Sequence, residues 1–151
     1  MKPPVPADPG FRQRVHDSFA RQGVMHTLGA TLEVADAGRV VIVMPHKPEL
    51  TQQHGFLHAG IVSTALDSAC GYAAFTLMPA DAAVLTIEFK VNLLAPAAGE
   101  SFVATGRVVK AGRTITVCTG EVVAVRGEAR VPVAQMQATM MTVRDRPGLS
   151  D

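Results

Sequence analysis

QQHGFLHAGIVSTALDSACGYAA, residues 52–74, is the segment that decides the fold. Between Gly55 and Ala80 the chain carries one carboxylate, Asp67, and no Lys, Arg or Glu. The apolar part runs from about His58 to Leu77, which is too long for a strand, and a proline follows soon after it. We therefore predict a long helix that is apolar around most of its circumference, with a single acidic side chain near its middle.

The composition limits the possible partners. The chain has 151 residues, of which 48% are hydrophobic, and a formal net charge of +1. This length fits one domain. No uninterrupted apolar run reaches the ~18 residues of a membrane span, and no block of like charges offers a surface for nucleic acid or an anionic membrane. We therefore predict a soluble protein that binds neither nucleic acid nor a membrane.

Two features favour a cytoplasmic location. Cys70 and Cys118 lie in apolar patterns, as buried thiols do in a reducing compartment. The start of the chain, MKPPVPADPG, has prolines where a secretion signal needs an apolar core.

We predict a flexible tail over residues 1–8, one domain over residues 9–144 and a second tail over residues 145–151.

The remaining pattern predicts an α+β fold. A first amphipathic helix begins at Asp8-Pro9-Gly10 and ends near Gln22-Gly23. Residues 85–93 alternate apolar and polar side chains, which is typical of a half-buried strand. Further strands are predicted at 28–35, 39–45, 101–110, 113–126 and 129–143. Short links after the long helix favour an antiparallel meander. We expect a sheet of five to six strands wrapped around the long central helix.

The long helix carries a narrow seam of small and polar residues. Steps of three and four place these residues on one stripe: Gly60, Ser63, Thr64, Asp67, Ser68 and Gly71. The seam could simply face water or pack against another backbone. It could also be a site, because the first backbone N–H groups of the helix lack intrahelical acceptors and suit a developing oxyanion. Ala59 and Asp67 lie eight residues, about 12 Å, apart along the helix. If both act on one carbonyl, they come from two subunits with antiparallel helices.

The spacing of Gln52, Gly55, His58, Gly60 and Asp67, followed by the strand LTIEFKVNLLAPA, resembles the PaaI-like branch of the hotdog-fold acyl-CoA thioesterases. That motif is Asn-x-x-Gly-x-x-His-Gly-Gly with an Asp nine residues after the His, and Asp67 is nine residues after His58. The resemblance covers the chain from the first helix to the last strand. It implies a hotdog fold and a homodimer with sites between subunits, paired into a homotetramer.

The resemblance also implies roles for four residues. Asp67 is the general base or the nucleophile on an acyl-CoA thioester. The Ala59 N–H of the opposing subunit polarises the carbonyl, and Gln52, at the position of the family's Asn, places the water or the thioester. Thr86 supplies a hydroxyl near the carboxylate. Two departures matter: Gln52 replaces Asn and could hand its role to Gln53, and Ala59 replaces Gly and adds a Cβ close to the substrate.

Other residues are candidates for contacts with the substrate. Near the helix start and along the seam they are Gln53, Gly55, His58, Gly60, Ser63, Thr64 and Ser68. His58 could equally be structural. Lys90, Lys110 and Arg113 suit the phosphates of coenzyme A, or are ordinary surface charges. No metal and no cofactor beyond the coenzyme A of the substrate are expected, because the histidines show no ligand spacing.

Two other functions belong to different classes. Hotdog dehydratases and hydratases carry a His before a Pro-Gly turn or an Asp-x-Asn-Pro-x-His loop, and the chain has neither. A protein that binds acyl-CoA without turnover would not need a carboxylate beside the thioester. A Cys70 nucleophile is disfavoured, because no His lies at a recognisable spacing and apolar surroundings raise a thiol pKa. The sequence leaves the acyl group undetermined.

Overall fold

The computed structural model describes residues 4–149; residues 1–3 and 150–151, the outermost parts of the two predicted tails, lie outside the described residues. The helices are α1 Phe11–Arg21, α2 Gly23–Leu28 and α3 Ala59–Phe75, with a 3-10 turn at Pro48–Leu50. The strands are β1 Thr31–Asp36, β2 Arg39–Pro45, β3 Ala83–Leu93, β4 Ser101–Ala111, β5 Ile115–Arg126 and β6 Ala129–Val143. All six form one antiparallel sheet in the order β1-β2-β4-β5-β6-β3. The predicted hotdog architecture is confirmed.

Helix α3 lies directly on the inner face of this sheet and packs on β2 through β6. Two neighbouring glycines allow the close approach. A Cβ at Gly106 would overlap the backbone of Ala69, and a Cβ at Gly120 would lie 2.9 Å from the side chains of Cys70 and Leu66. Leu66, Ala69 and Cys70 are fully buried. The apolar circumference predicted for this helix is therefore the centre of the core. Between residues 4 and 149, no helix is both long and apolar enough to cross a membrane.

The N-terminal region differs from its prediction in two ways. Helix α1 begins at Phe11, because the Asp8 side chain accepts a hydrogen bond from the Gly10 N–H and pairs with Arg14 at 3.1 Å instead of capping the helix. A second helix, α2, replaces the start of the predicted strand at 28–35. It ends at Gly29, whose φ of 66° is the left-handed conformation that favours glycine. Strand β1 therefore begins only at Thr31.

Strand β3 is not part of a meander with β4. It pairs with β6, so that the hairpin of β5 and β6 lies between β3 and β4. The reason is that β4 already pairs with β2 on one edge and with β5 on the other, so β3 pairs with the open edge of β6 instead. The meander prediction is correct for β4, β5 and β6 and wrong for β3.

A bulge in β3 changes which side chains face the helix. Thr86 pairs with Met140, but Glu88 pairs with Thr139, so Ile87 is an extra residue. Met140 is fully buried against the helix side, whereas the Thr139 hydroxyl donates to Glu88 Oε1 at 2.5 Å on the other face. The regular alternation of the sequence places Thr86 and Glu88 on the same face. The bulge instead turns Thr86 towards α3.

Four apolar side chains of β3 are exposed in the single chain, whereas the sequence predicted a half-buried strand; Val84 and Val91 are partly buried against the core. The exposed fractions of the four are 38% for Leu85, 50% for Ile87, 44% for Phe89 and 55% for Leu93. The strand is 11 residues long and forms one edge of the sheet. A long, apolar, unpaired edge is a surface on which a further strand can add.

Candidate active site

The carboxylate of Asp67 lies beside the bulge of β3. Thr86 Oγ1 donates a hydrogen bond of 2.8 Å to Asp67 Oδ1 and lies 3.4 Å from Met140 Sδ. Asp67 is half-buried and lines a cavity of about 320 Å³. One carboxylate oxygen is therefore held by a hydroxyl while the group borders open space. This arrangement orients a carboxylate to accept a proton or to attack a carbonyl carbon.

We call this space the Asp67 cavity. Its walls come from α3, β3 and the junction of α1 and α2: Ser18, Arg21, Gln22, Asp67, Ser68, Gly71, Tyr72, Val84 and Thr86. The sequence predicted Asp67, Ser68 and Thr86 but missed the contribution of the first two helices. Ser68 Oγ donates to Gln22 Oε1 at 3.2 Å, a contact between residues 46 positions apart. No local pattern predicts such a pair, although the break at Gln22-Gly23 marked the place where the chain turns towards α3.

The start of α3 is the second half of the site. His58 caps the helix, because its Nδ1 accepts the Gly60 N–H at 2.9 Å. Of residues 4–149, none accepts a hydrogen bond from the Ala59 N–H. Ala59 lies in an apolar groove of about 530 Å³ formed by the α3 start, residues 93–97 and the loop before the helix. A free N–H at the positive end of a helix dipole suits a carbonyl oxygen that gains charge.

Gln52 is placed in this groove by a tight turn. Its side-chain Oε1 accepts a hydrogen bond from the His54 N–H, and its backbone N–H donates to Phe56 O at 2.9 Å. Gly55 completes the turn with a φ of 83°. Gln53, by contrast, is exposed and lies with Nε2 3.4 Å from the His54 ring. The structure therefore brings Gln52, and not Gln53, together with Ala59.

The hydroxyls in the first turns of α3 are used within the helix. Ser63 Oγ donates to Ala59 O and Thr64 Oγ1 donates to Gly60 O, both at 2.8 Å. While the two hydroxyls donate these bonds, they can only accept a hydrogen bond from a substrate. Gly60 is exposed at the helix start, where a Cβ would lie 3.1 Å from His58 Nδ1.

The three candidate phosphate contacts lie in two parts of the molecule. Lys90 borders a polar hollow on the outer face of the sheet with Asn92 and Arg107. Lys110 is exposed near the end of β4. Arg113, in the turn between β4 and β5, borders a small cavity near the C-terminal end of α3. The single chain therefore does not bring Lys90, which lies on β3, together with Lys110 and Arg113 at the β4–β5 turn.

The two cysteines are not candidates for the nucleophile. Burial, followed by the charges of Cys118 and Asp67, raises the pKa of the Cys70 thiol far above its usual range. Burial raises the pKa of Cys118 to about 12. Both thiols therefore stay protonated and make poor nucleophiles at neutral pH. Over residues 4–149, no three His, Cys, Asp or Glu side chains converge as metal ligands.

Comparisons with known proteins agree with this architecture. Residues 54–130, about half of the chain, match the family model of the thioesterase superfamily. A crystal structure of a thioesterase family protein from Silicibacter pomeroyi is 58% identical, superposes with a TM-score of 0.88, and covers 89% of this chain and 99% of its own. The E. coli PaaI protein from the phenylacetic acid degradation operon shares the fold at 21% identity, with a TM-score of 0.81 over 91% of this chain and 96% of its own.

A curated relative from Saccharolobus solfataricus, named as an esterase, is 39% identical over 82 residues. The match covers 54% of this chain and 58% of that relative, so the chain spans little more than half of its length.

Proposed function

We propose that this chain, which belongs to the thioesterase superfamily and so to a family of thioester hydrolases, hydrolyses acyl-CoA to a free acid and coenzyme A. The observation that supports this most is the Asp67–Thr86 pair at the wall of a cavity, on the same helix as the free Ala59 N–H. A carboxylate and an oxyanion donor are the two groups that acyl transfer to water needs.

In the proposed reaction, the thioester carbonyl oxygen accepts a hydrogen bond from the Ala59 N–H. Asp67 takes a proton from water, and the hydroxide attacks the carbonyl carbon. The tetrahedral intermediate then collapses, the carbon–sulfur bond breaks, coenzyme A leaves as a thiolate, and Asp67 gives up its proton to the thiolate or to water. A second route begins with attack by the Asp67 carboxylate itself, which gives an anhydride that water hydrolyses. Thr86 orients the carboxylate in both routes, and Gln52 contributes its amide at the groove.

The two halves of the site, the Asp67 carboxylate and the Ala59 N–H, require two subunits. Ala59 and Asp67 are separated by about 12 Å along one helix, so they cannot reach the same carbon within one chain. We propose that the exposed edge of β3 pairs antiparallel with β3 of a second copy and sets the two α3 helices side by side. Twofold symmetry then makes two equivalent sites, each with Asp67 of one subunit facing Ala59 of the other. The further pairing of dimers into tetramers is proposed from the family.

The edge of β3 can be tested directly. A double substitution, Ile87→Lys with Phe89→Lys, places charge on the proposed interface and is expected to block strand pairing. We expect light scattering after size exclusion to show a 15.9 kDa monomer in place of a dimer or larger assembly, with loss of thioester hydrolysis.

A matched control exists in the same sheet. Val109 is the extra residue of a bulge in β4, as Ile87 is in β3, and 57% of it is exposed. Strands β5 and β6 separate β4 from the free edge of β3, so Val109→Lys should leave the assembled mass unchanged. A wild-type protein that is already monomeric at assay concentration would refute the two-subunit site.

The location and the coenzyme A contacts are further proposals. Two buried free thiols fit a reducing compartment such as the cytoplasm. Lys90, Lys110 and Arg113 are proposed to bind coenzyme A phosphates in the assembled protein, where surfaces of different subunits meet.

The activity is tested by release of free thiol from acetyl-, hexanoyl-, palmitoyl-, phenylacetyl- and benzoyl-CoA. We expect turnover of at least one of these thioesters. If none releases thiol while calorimetry still shows tight acyl-CoA binding, the chain is a binding protein and the proposed activity is wrong.

A further inference from the structure

Gly71 lies in the interior of α3, where the chain gives no structural reason for a glycine. Glycine destabilises a helix interior relative to alanine. It is kept where the backbone needs a positive φ or where another group comes too close for a Cβ. Gly71 is not among the residues with positive φ. A Cβ built on it meets no atom within 4 Å, whereas one on Gly106 or Gly120 would collide with α3.

The position of Gly71 suggests a different reason. It follows Asp67 by four residues, so the two lie one above the other on the same face of the helix. Gly71 is buried and lines the Asp67 cavity. The space that a side chain would fill is therefore part of the cavity next to the carboxylate.

The wall around this space is largely polar, and one side of it is an aromatic cluster. Tyr72 packs against the rings of Phe19 and Phe75, with centroids 5.9 and 6.3 Å away, and its hydroxyl lies 3.4 Å from Ser18 Oγ. The cavity of about 320 Å³ is at the lower end of the range of ligand pockets. A long alkyl chain placed against this wall would take hydroxyl and amide groups away from water.

We propose that Gly71 is a specificity-determining residue. Because it has no side chain, it leaves room beside Asp67 for a short acyl chain or a single ring, and the polar wall of the cavity disfavours a longer acyl chain. The inference rests on the proposed function, because it assigns the Asp67 cavity to the acyl group of the thioester.

The test compares Gly71→Ala with the wild type on acetyl-, hexanoyl- and phenylacetyl-CoA. The added methyl group should lower kcat/KM for the two larger substrates at least tenfold relative to acetyl-CoA. The same substitution should raise Tm by about 2–4 °C, because alanine favours the helix and nothing opposes its Cβ. The matched control is Gly23→Ala, at an exposed glycine whose Cβ also meets nothing within 4 Å. It should leave the order of substrates unchanged.

A binding measurement separates this inference from the proposed activity. In S-(2-oxoalkyl)-CoA, a methylene group between sulfur and carbonyl prevents hydrolysis. We expect Gly71→Ala to weaken binding of the 2-oxoheptyl compound at least tenfold more than binding of the 2-oxopropyl compound. If this holds while no thioester is hydrolysed, the acyl site stands and the activity fails.

Two results would overturn the role of Gly71. One is hydrolysis by the wild type with an unchanged acyl preference in Gly71→Ala, which would leave the activity standing. The other is a lower Tm or a dissociated assembly in Gly71→Ala, which would identify Gly71 as a packing glycine at a contact between subunits.

Discussion

Replacing Asp67 with Asn is expected to lower kcat for thioester hydrolysis about a hundredfold or more, with little change in substrate affinity. The amide is nearly the same size as the carboxylate, and its oxygen can still accept the hydrogen bond from Thr86. It cannot take a proton from water at neutral pH and is not a nucleophile. Loss of kcat without loss of binding marks a group that acts in the transition state. The measurement is steady-state thiol release from the best substrate of the panel.

Two comparisons make this result specific to the carboxylate. Asp67→Asn should bind S-(2-oxoheptyl)-CoA as the wild type does and keep the wild-type mass. Thr86→Val removes the hydroxyl that orients Asp67 but keeps the carboxylate, so its kcat should fall less than that of Asp67→Asn. Release of thiol at the wild-type rate by Asp67→Asn would be incompatible with either proposed role of this residue.

Replacing Ala59 with Pro is expected to lower kcat by about 10²–10³, the usual effect of removing one oxyanion donor. Ala59 is the first residue of α3, a position where proline is well tolerated because the N–H has no intrahelical partner. His58 has a ψ of 139°, which is the conformation required before a proline. The substitution therefore removes the proposed donor while the helix and its Tm should change little.

The control for this prediction is Ala59→Gly. It keeps the N–H and restores the residue that the PaaI-like motif has at this position, so it separates loss of the donor from a change of side chain. If the proline variant keeps its kcat, the oxyanion site lies elsewhere. If it loses Tm strongly, circular dichroism will show whether α3 has unfolded.

The elements that carry local signals could be predicted from the sequence. Helix α3 is apolar over about 17 residues and has a proline soon after it, so its place and type follow from the length of the apolar run. The turn between β1 and β2 follows from Gly38, whose φ is 75°. Asp67 is identifiable because it is the only charge in this segment. These features depend on residues close together in the chain.

The features that depend on distant residues could not be predicted. The alternation in residues 85–93 gave the strand correctly, but the bulge at Ile87 arises from its pairing with β6, and it alone turns Thr86 towards Asp67. In the same way, Gln22 meets Ser68 only because α1 and α2 pack beside α3. The exposed apolar side chains of β3 were expected to be buried, since a periodic pattern cannot tell whether they are covered by the same chain or by a second one.

The most direct test of the central claim, that each site joins Asp67 of one subunit to Ala59 of another, is activity in mixed dimers. Asp67→Asn and Ala59→Pro are each nearly inactive alone, and equal amounts are unfolded together and refolded. In a mixed dimer, one site then receives both defects and the other receives none. About half of the dimers are mixed and half of their sites are intact, so about a quarter of the wild-type activity should return. If each site lies within one subunit, every site keeps one defect, and mixing will restore no activity.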